Sequence, residues 1–296
     1  MDNLNLETTD RASKRIQTEK LLSGIKNLPL IPKMMFEVTK FLQSPAPTTS
    51  GLARLVGKDP GLTAKILSVA NSPLYGLQRK VTSLEFAIIV LGYKEISDIV
   101  SALSMADSIK SNSDKFFNQD EFWLHSMVVG SAAKGISQRL GHMDLGSDAF
   151  VAGMLHDLGI QLMHKFLHPQ FEEICRKTGQ EGKSFLNAEL DTLGLTHQDV
   201  GRFLGEKWNL PVVLCESLSH HHSPGEIRSK SVLTSIVHLA DFMTQKLQTA
   251  NVFWDNGMKL DPAIIDVLQF GSMDNLEKFI MEYRDLFVET VFSTRI

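Results

Sequence analysis

His156 and Asp157 stand side by side in MLHDLGIQLM, residues 154–163, a stretch that is otherwise apolar and helical in pattern. A buried imidazole beside a buried carboxylate is costly unless each is compensated, about 2–7 kcal/mol for an unpaired polar group and more for a charge. The ten histidines are unevenly spread, none before residue 125, and helix periodicity turns several of them inward. His125 lies on the stripe of Val128, Val129, Ala132 and Ile136, and Asp241 continues that of Leu233 and Val237. His221 and His222 close a helix that begins at Pro211, with Leu214 and Leu218 behind them. His197 opens THQDVGRFLGEKW, where Gly201 one turn later lets a backbone or ligand approach closely; spacing alone supports it least. Taken singly, each is an ordinary satisfied core histidine. Together, five inward histidines and two inward aspartates cannot neutralise one another without leaving donors or acceptors unpaired, whereas divalent cations accept neutral imidazoles and carboxylates at once. The set predicts a metal site. Asp157 has two oxygens with which to bridge two ions, while His156 offers a nitrogen to one of them. Mixed nitrogen and oxygen ligation suits Fe or Mn first, then Ni or Zn.

The elements that must carry these residues read as helices throughout, because sustained strand-type alternation is nearly absent. In KDPGLTAKILSVANSPLYG, Asp59 caps, Pro60 suits the first helical position, and Asn71–Pro73 stops the helix. The next segment, TSLEFAIIVLG, carries Thr82 and Glu85 at capping-box spacing and ends at Gly92. The reading is all-α: a polar amino-terminal segment over 1–21, a bundle of short helices over 22–115, a second helical lobe over 116–248, and carboxyl-terminal helices over 249–296 packed on the second lobe. Helices of that second lobe fall near 119–140, 147–158, 160–167, 169–178, 183–193, 197–208, 211–222 and 229–248.

Composition narrows the function classes. With 296 residues, 22% charged and a net charge of -4, the chain has material for a large core and no broad cationic field, which argues against nucleic acid as a partner. Two cysteines, Cys175 and Cys215, provide neither a disulfide framework nor a thiolate metal site and fit a reducing cytoplasm. The longest apolar run, FAIIVLGY at 86–93, is too short to span a bilayer, and the amino terminus is polar with mixed charge, so neither an anchor nor an export signal is read. His142, His164 and His168 read as solvated surface histidines, and His238 carries no assigned role. Arg202, Lys207, Arg228 and Lys230 read as a solvated face.

The order His125, His156-Asp157, His197-x-x-x-Gly201, His221-His222 and Asp241 resembles the HD superfamily of metal-dependent phosphohydrolases, particularly the HD-GYP branch of cyclic di-GMP phosphodiesterases. More closely, LPLIP, KDPGLTAKILSVANSPLYG, SLEFAIIVLG, GMLHDLG, LTHQDVG, KWNLP, HHSP and HLAD together resemble HDOD proteins, the HD-related output domain of bacterial signalling, over about residues 22–248. The resemblance implies a helical amino-terminal lobe joined to an HD-like lobe, acting as a signalling module through protein partners or a small nucleotide. It also implies His125, His156, Asp157 and Asp241 around one ion, and Asp157, His197, His221 and His222 around another. Two departures bear on activity. Ile160 stands where HD-x-G-K phosphohydrolases carry a phosphate-contacting Lys, and HHSPGEIRSK lacks the Gly-Tyr-Pro tripeptide. Cyclic di-GMP hydrolysis is therefore not expected, and a phosphohydrolase acting on another nucleotide is the alternative to a signalling module. The stretch Asp59–Gly76 holds the densest resemblance without catalytic groups, which marks it as a docking surface or a lobe interface. Lys58, Lys65, Ser68 and Asn71 are its polar probes.

Overall fold

A computed structural model describes residues 2–77, 79–250 and 252–294, and no strand occurs among them. Helix α1 (Asp2–Ser23) leads to a first lobe of α2 (Lys33–Leu42), α3 (Thr49–Val56), α4 (Pro60–Asn71) and α5 (Leu84–Ser108). The second lobe comprises α6 (Gln119–Arg139), α7 (Gly146–Leu155), α8 (Leu158–Phe166), α9 (His168–Glu181), α10 (Phe185–Leu193), α11 (His197–Lys207), α12 (Val212–His220) and α13 (Val232–Lys246). Three more follow: α14 (Ala263–Val267), α15 (Met273–Glu282) and α16 (Arg284–Thr294).

Local chemistry explains most of these boundaries. The Asp59 carboxylate accepts from Leu62 N at 2.9 Å, with Pro60 at the first helical position, as capping requires. The cap of α5 is Ser83, accepting from Phe86 N at 3.2 Å, one residue beyond the expected Thr82. Gly92 breaks α5 as expected: at φ 85° and ψ 165° it kinks the helix, a conformation open to glycine, and the chain resumes helical geometry to Ser108. A Thr196–Asp199 capping box starts α11.

Amino-terminal α1 is largely polar and packs along α10, contributing Leu22 to the core. Arg11 pairs with Asp191 of α10 at 2.6 Å, and the buried Thr18 hydroxyl donates to Leu193 O at 2.8 Å. At the other end of the chain, α16 packs on α6 of the second lobe and on α4 and the 3-10 turn Pro73–Tyr75 of the first, so it spans both lobes.

The lobes meet across a buried polar knot. Lys134 of α6 pairs with Glu95 of α5 and lies over the Tyr75 ring at 4.0 Å, while the Tyr75 hydroxyl and Ser147 Oγ also donate to Glu95, the latter at 2.9 Å. Much of Asp59–Gly76 is thereby used as packing: Leu62, Ile66, Val69, Leu74 and Tyr75 are buried. Of the four polar probes, Lys58 is exposed, Lys65 pairs with Asp107 over the Trp123 ring, and Ser68 is buried. Asn71 clamps the loop that follows, donating to Val81 O at 2.8 Å and accepting from Val81 N at 2.7 Å.

Candidate metal centre

Close backbone approach sets up the centre. Where α6 crosses α7, a Cβ on Gly130 would meet Met154 Cγ at 2.8 Å, and one on Gly153 would meet Gly130 Cα at 2.8 Å. This brings His125 of α6 against His156 at the end of α7. A Cβ on Gly159 would lie 1.9 Å from His197 O, so α8 touches the start of α11 and seats His197 beside Asp157. The close approach anticipated at Gly201 is made by Gly159; a Cβ on Gly201 would find ordinary contacts, the nearest at 3.5 Å.

All seven residues anticipated from the sequence converge. His125, His156, Asp157, His197, His221 and Asp241 are fully buried, and His222 is nearly so. Asp157 lies between two groups. Its Oδ2 faces His156 Nε2 at 3.3 Å and His125 Nε2 at 3.6 Å, while Oδ1 faces His197 Nε2 at 3.5 Å and His221 Nε2 at 3.6 Å. Asp241 Oδ1 closes the first group, 3.4 Å from His125 Nε2; His222 Nε2 closes the second, 3.0 Å from His197 Nε2.

Four of the imidazoles have their tautomer dictated from behind. His125 Nδ1 faces Ala250 O at 2.8 Å, His156 Nδ1 faces Gly153 O at 2.7 Å, and His221 Nδ1 faces Leu218 O at 3.1 Å. His197 Nδ1 faces the buried Glu189 carboxylate at 2.9 Å. The carbonyls and the Glu189 carboxylate accept, so each Nδ1 carries the hydrogen, and in its neutral form each ring presents its Nε2 lone pair inward. Those Nε2 atoms lie 3.2 Å apart in the His125–His156 and His197–His221 pairs. Opposite them, Asp157 Oδ1 and both oxygens of Asp241 and of Asp255 receive no hydrogen bond. Buried lone pairs facing buried unpaired carboxylate oxygens repel unless protons or cations lie between them, and this donor set fits divalent metal ions.

Burial disfavours the His156 imidazolium, but the Asp157 carboxylate beside it prevails and raises that histidine to about 9. Burial lowers His221 to about 4 and pushes His222 down as well, helped by the neighbouring imidazoles. Burial, then Asp241 and Asp157, hold the Asp255 carboxyl well above the carboxylate range.

Several participants were absent from the sequence reading. Asp255, in the 3-10 turn Phe253–Asp255, places Oδ2 3.6 Å from His125 Nε2 and Oδ1 3.5 Å from His222 Nε2. Trp254 Nε1 donates to Asp157 Oδ2 at 2.6 Å, and Glu189 orients His197. His238, given no role, has one: it donates through Nδ1 to His221 O at 2.6 Å and accepts from Asp261 N at 2.8 Å through Nε2, which fixes the backbone of the His221 turn.

One expectation is overturned. His164 is only 4% exposed, because α8 turns it inward with Met163 and Leu167; it is bonded to Asp114 at 3.1 Å. His168 is at the surface as expected, its side chain 41% exposed, and is bonded to the same carboxylate oxygen at 2.7 Å.

A cleft of about 540 Å³ reaches the edge of the centre, lined by His222, Trp254 and Asp255 together with Lys183, Asn187 and Lys259. Ile160, at the phosphohydrolase lysine position, is wholly buried in α8. Among the described residues, no helix is long and apolar enough to cross a membrane.

Comparison with known proteins agrees with this architecture. An uncharacterized protein of Treponema pallidum is 23% identical over 214 residues, covering 70% of this chain and 40% of that protein, so the chain spans well under half of that relative. The crystal structure of an HDOD domain protein from Geobacter sulfurreducens has a TM-score of 0.76 at 24% identity, covering 96% of this chain and 97% of that one. A candidate metal-dependent phosphohydrolase from Shewanella amazonensis has the same fold, with a TM-score of 0.64 at 18% identity over 97% of this chain and all of that one. A candidate signal transduction protein from Marinobacter aquaeolei does too, at 0.68 and 18%, covering 97% of this chain and 67% of that one. With the HDOD domain matching residues 28–224, more than half of its length, the chain belongs to the HDOD domain family.

Proposed function

We propose that this chain is a bacterial signalling protein whose second lobe holds two divalent cations and uses them to bind an anionic small molecule or to present a partner-binding state. His125, His156, Asp157 and Asp241 would hold one ion; Asp157, His197, His221 and His222 would hold the other, with Asp255 between them. The observation that carries the reading is the set of unpaired carboxylate oxygens facing imidazole lone pairs of fixed tautomer. Five nitrogens and several oxygens favour Fe or Mn over the softer-ligand metals, with Ni or Zn next. Bound there, such ions supply Lewis-acid polarisation of a ligand oxygen. The protein's own contribution is orientation: Glu189 and three backbone carbonyls hold the rings, Trp254 holds Asp157, and Lys183 and Lys259 line the cleft beside the centre.

A second reading, a phosphohydrolase acting on a nucleotide, is favoured by one observation: the cleft reaches the centre at His222 and Asp255, so a ligand phosphate has access to it. Turnover separates the two. Metal-loaded protein is expected to leave cyclic di-GMP intact, since Ile160 provides no cationic contact. Cleavage of any nucleotide phosphodiester at about 1 per second, an ordinary enzymatic rate, would establish the second reading in place of the first.

A further inference from the structure

A second group of ligating side chains sits outside the buried centre, where the segment joining the lobes crosses the junction of α8 and α9. Asp114 lies in that joining segment, and its Oδ2 faces His164 Nε2 at 3.1 Å and His168 Nε2 at 2.7 Å. The orientation of each group is set by its neighbours. Asp114 Oδ1 accepts from Phe116 N at 2.7 Å and Phe117 N at 2.9 Å, which turns Oδ2 alone toward the histidines. Ser111 Oγ lies 2.7 Å from His164 Nδ1, and the His164 ring stacks on Phe117 with centroids 4.6 Å apart. His168 is the open side of the group, half-exposed at the start of α9.

We infer that Asp114, His164 and His168 form a peripheral site for a single divalent cation of the zinc class, which fastens the inter-lobe segment onto the second lobe. Two imidazole nitrogens and one monodentate carboxylate oxygen, with the exposed side left to water, are the donor set of a three-ligand zinc site. Their ligating atoms all lie within 4.8 Å of one another. Metal bonds of about 2.0–2.2 Å in tetrahedral geometry separate neighbouring ligand atoms by roughly 3.3–3.6 Å. The two contacts to Asp114 would open by less than an ångström, a movement available to the exposed His168. On binding, each Nε2 gives up its hydrogen: His164 moves it to Nδ1, where Ser111 Oγ accepts it, and His168 moves it to a solvent-facing Nδ1. The site also touches the buried centre mechanically. Phe117 is stacked between His164 and Trp254, at 4.6 and 6.0 Å, and Trp254 is the residue that donates to Asp157.

The test is zinc stoichiometry on the full chain, by equilibrium dialysis against Zn2+ and elemental analysis, for the native sequence, His168→Ala and Asp157→Asn. The half-exposed position of His168 makes its replacement compatible with folding. The inference expects His168→Ala to bind one equivalent less than the native chain and to lose part of the Zn2+-dependent rise in melting temperature. Asp157→Asn should lose zinc at the buried centre and keep the peripheral equivalent. Equal zinc in the native chain and His168→Ala would overturn it and leave Asp114, His164 and His168 as a hydrogen-bonded clasp. That comparison decides the matter even if Asp157→Asn fails to fold, because it needs only the native centre and one surface change. Co2+ in place of Zn2+ offers an independent readout: a visible absorption band present in the native chain and reduced in His168→Ala supports the site, and identical spectra contradict it.

Discussion

Asp255→Asn should stabilise the metal-free protein, and metal should shrink or reverse that gain. Both Asp255 oxygens are buried without a hydrogen bond, and burial, then the carboxylates of Asp241 and Asp157, hold its carboxyl well above its ordinary range. Without a cation this side chain is a liability: a buried, unsatisfied acceptor costs about 1–3 kcal/mol, more if charged. Asparagine keeps the shape, removes a carboxyl that must otherwise hold a proton against its ordinary range, and brings an N–H₂ that can donate to Asp241. The chelated variant should therefore be more stable than the chelated native chain by about 1–3 kcal/mol, or several degrees at about 2–4 °C per kcal/mol for a domain of this class. In metal the order narrows or inverts, because a cation at 100 times its Kd adds about 2.7 kcal/mol and a tenfold loss of affinity removes about 1.4 of that. Thermal melts of both proteins, in chelator and in Mn2+, give the four values needed. A variant that is less stable than the native chain in chelator, or equally stabilised by Mn2+, would refute the assignment of Asp255 to a cation centre.

Gly159→Ala should be among the most damaging single-carbon additions, since its Cβ would fall 1.9 Å from His197 O and 2.9 Å from Gly201 N, both backbone atoms that cannot turn aside. Overpacking of this kind costs at least about 1–3 kcal/mol, and melting temperature together with metal content should both fall. Trp254→Phe removes the hydrogen bond to Asp157 Oδ2 and should cost about 1.5–3 kcal/mol in chelator, read by denaturant melts, with a smaller loss in metal. Glu95→Gln strands Lys134, a cost of about 3–5 kcal/mol near neutral pH. Burial alone would raise the Glu95 carboxyl, but Lys134, Tyr75 and Ser147 outweigh it and hold it low. A lowered folded value means the stabilisation is complete above the ordinary carboxylate range and is lost as pH falls through the folded value. The gap between native and Glu95→Gln melts should therefore shrink on acidification below about pH 4; a gap that widens would contradict the reasoning.

What could be read in the sequence was whatever a helix expresses in its own phase. His125, Asp241, His221 and His222 were found because each continues an apolar stripe on its own helix, and the Gly92 break and Asp59 cap were local chemistry. Glu189 and His164 obeyed the same rule and were passed over: Glu189 falls between Phe185 and Leu193 at one-turn spacing, and His164 lies between Ile160 and Leu167. Asp255 is different in kind. It sits in a three-residue 3-10 turn with no periodicity to reveal its direction, and only the packing of Trp254 and Phe253 into the second lobe aims it at the histidines. Nor could local pattern place α1, whose polar face finds Asp191 and Leu193 about 180 positions away.

The account stands on cations between Asp157 and its histidines, and elemental analysis of anaerobically purified protein, native and Asp157→Ala, tests this most directly. It predicts Fe or Mn in the native chain approaching two ions per molecule, and near-complete loss of both in the variant, since one carboxylate serves both groups. Native protein with only trace metal after anaerobic reconstitution with Fe or Mn, or a variant with unchanged metal content, would contradict it.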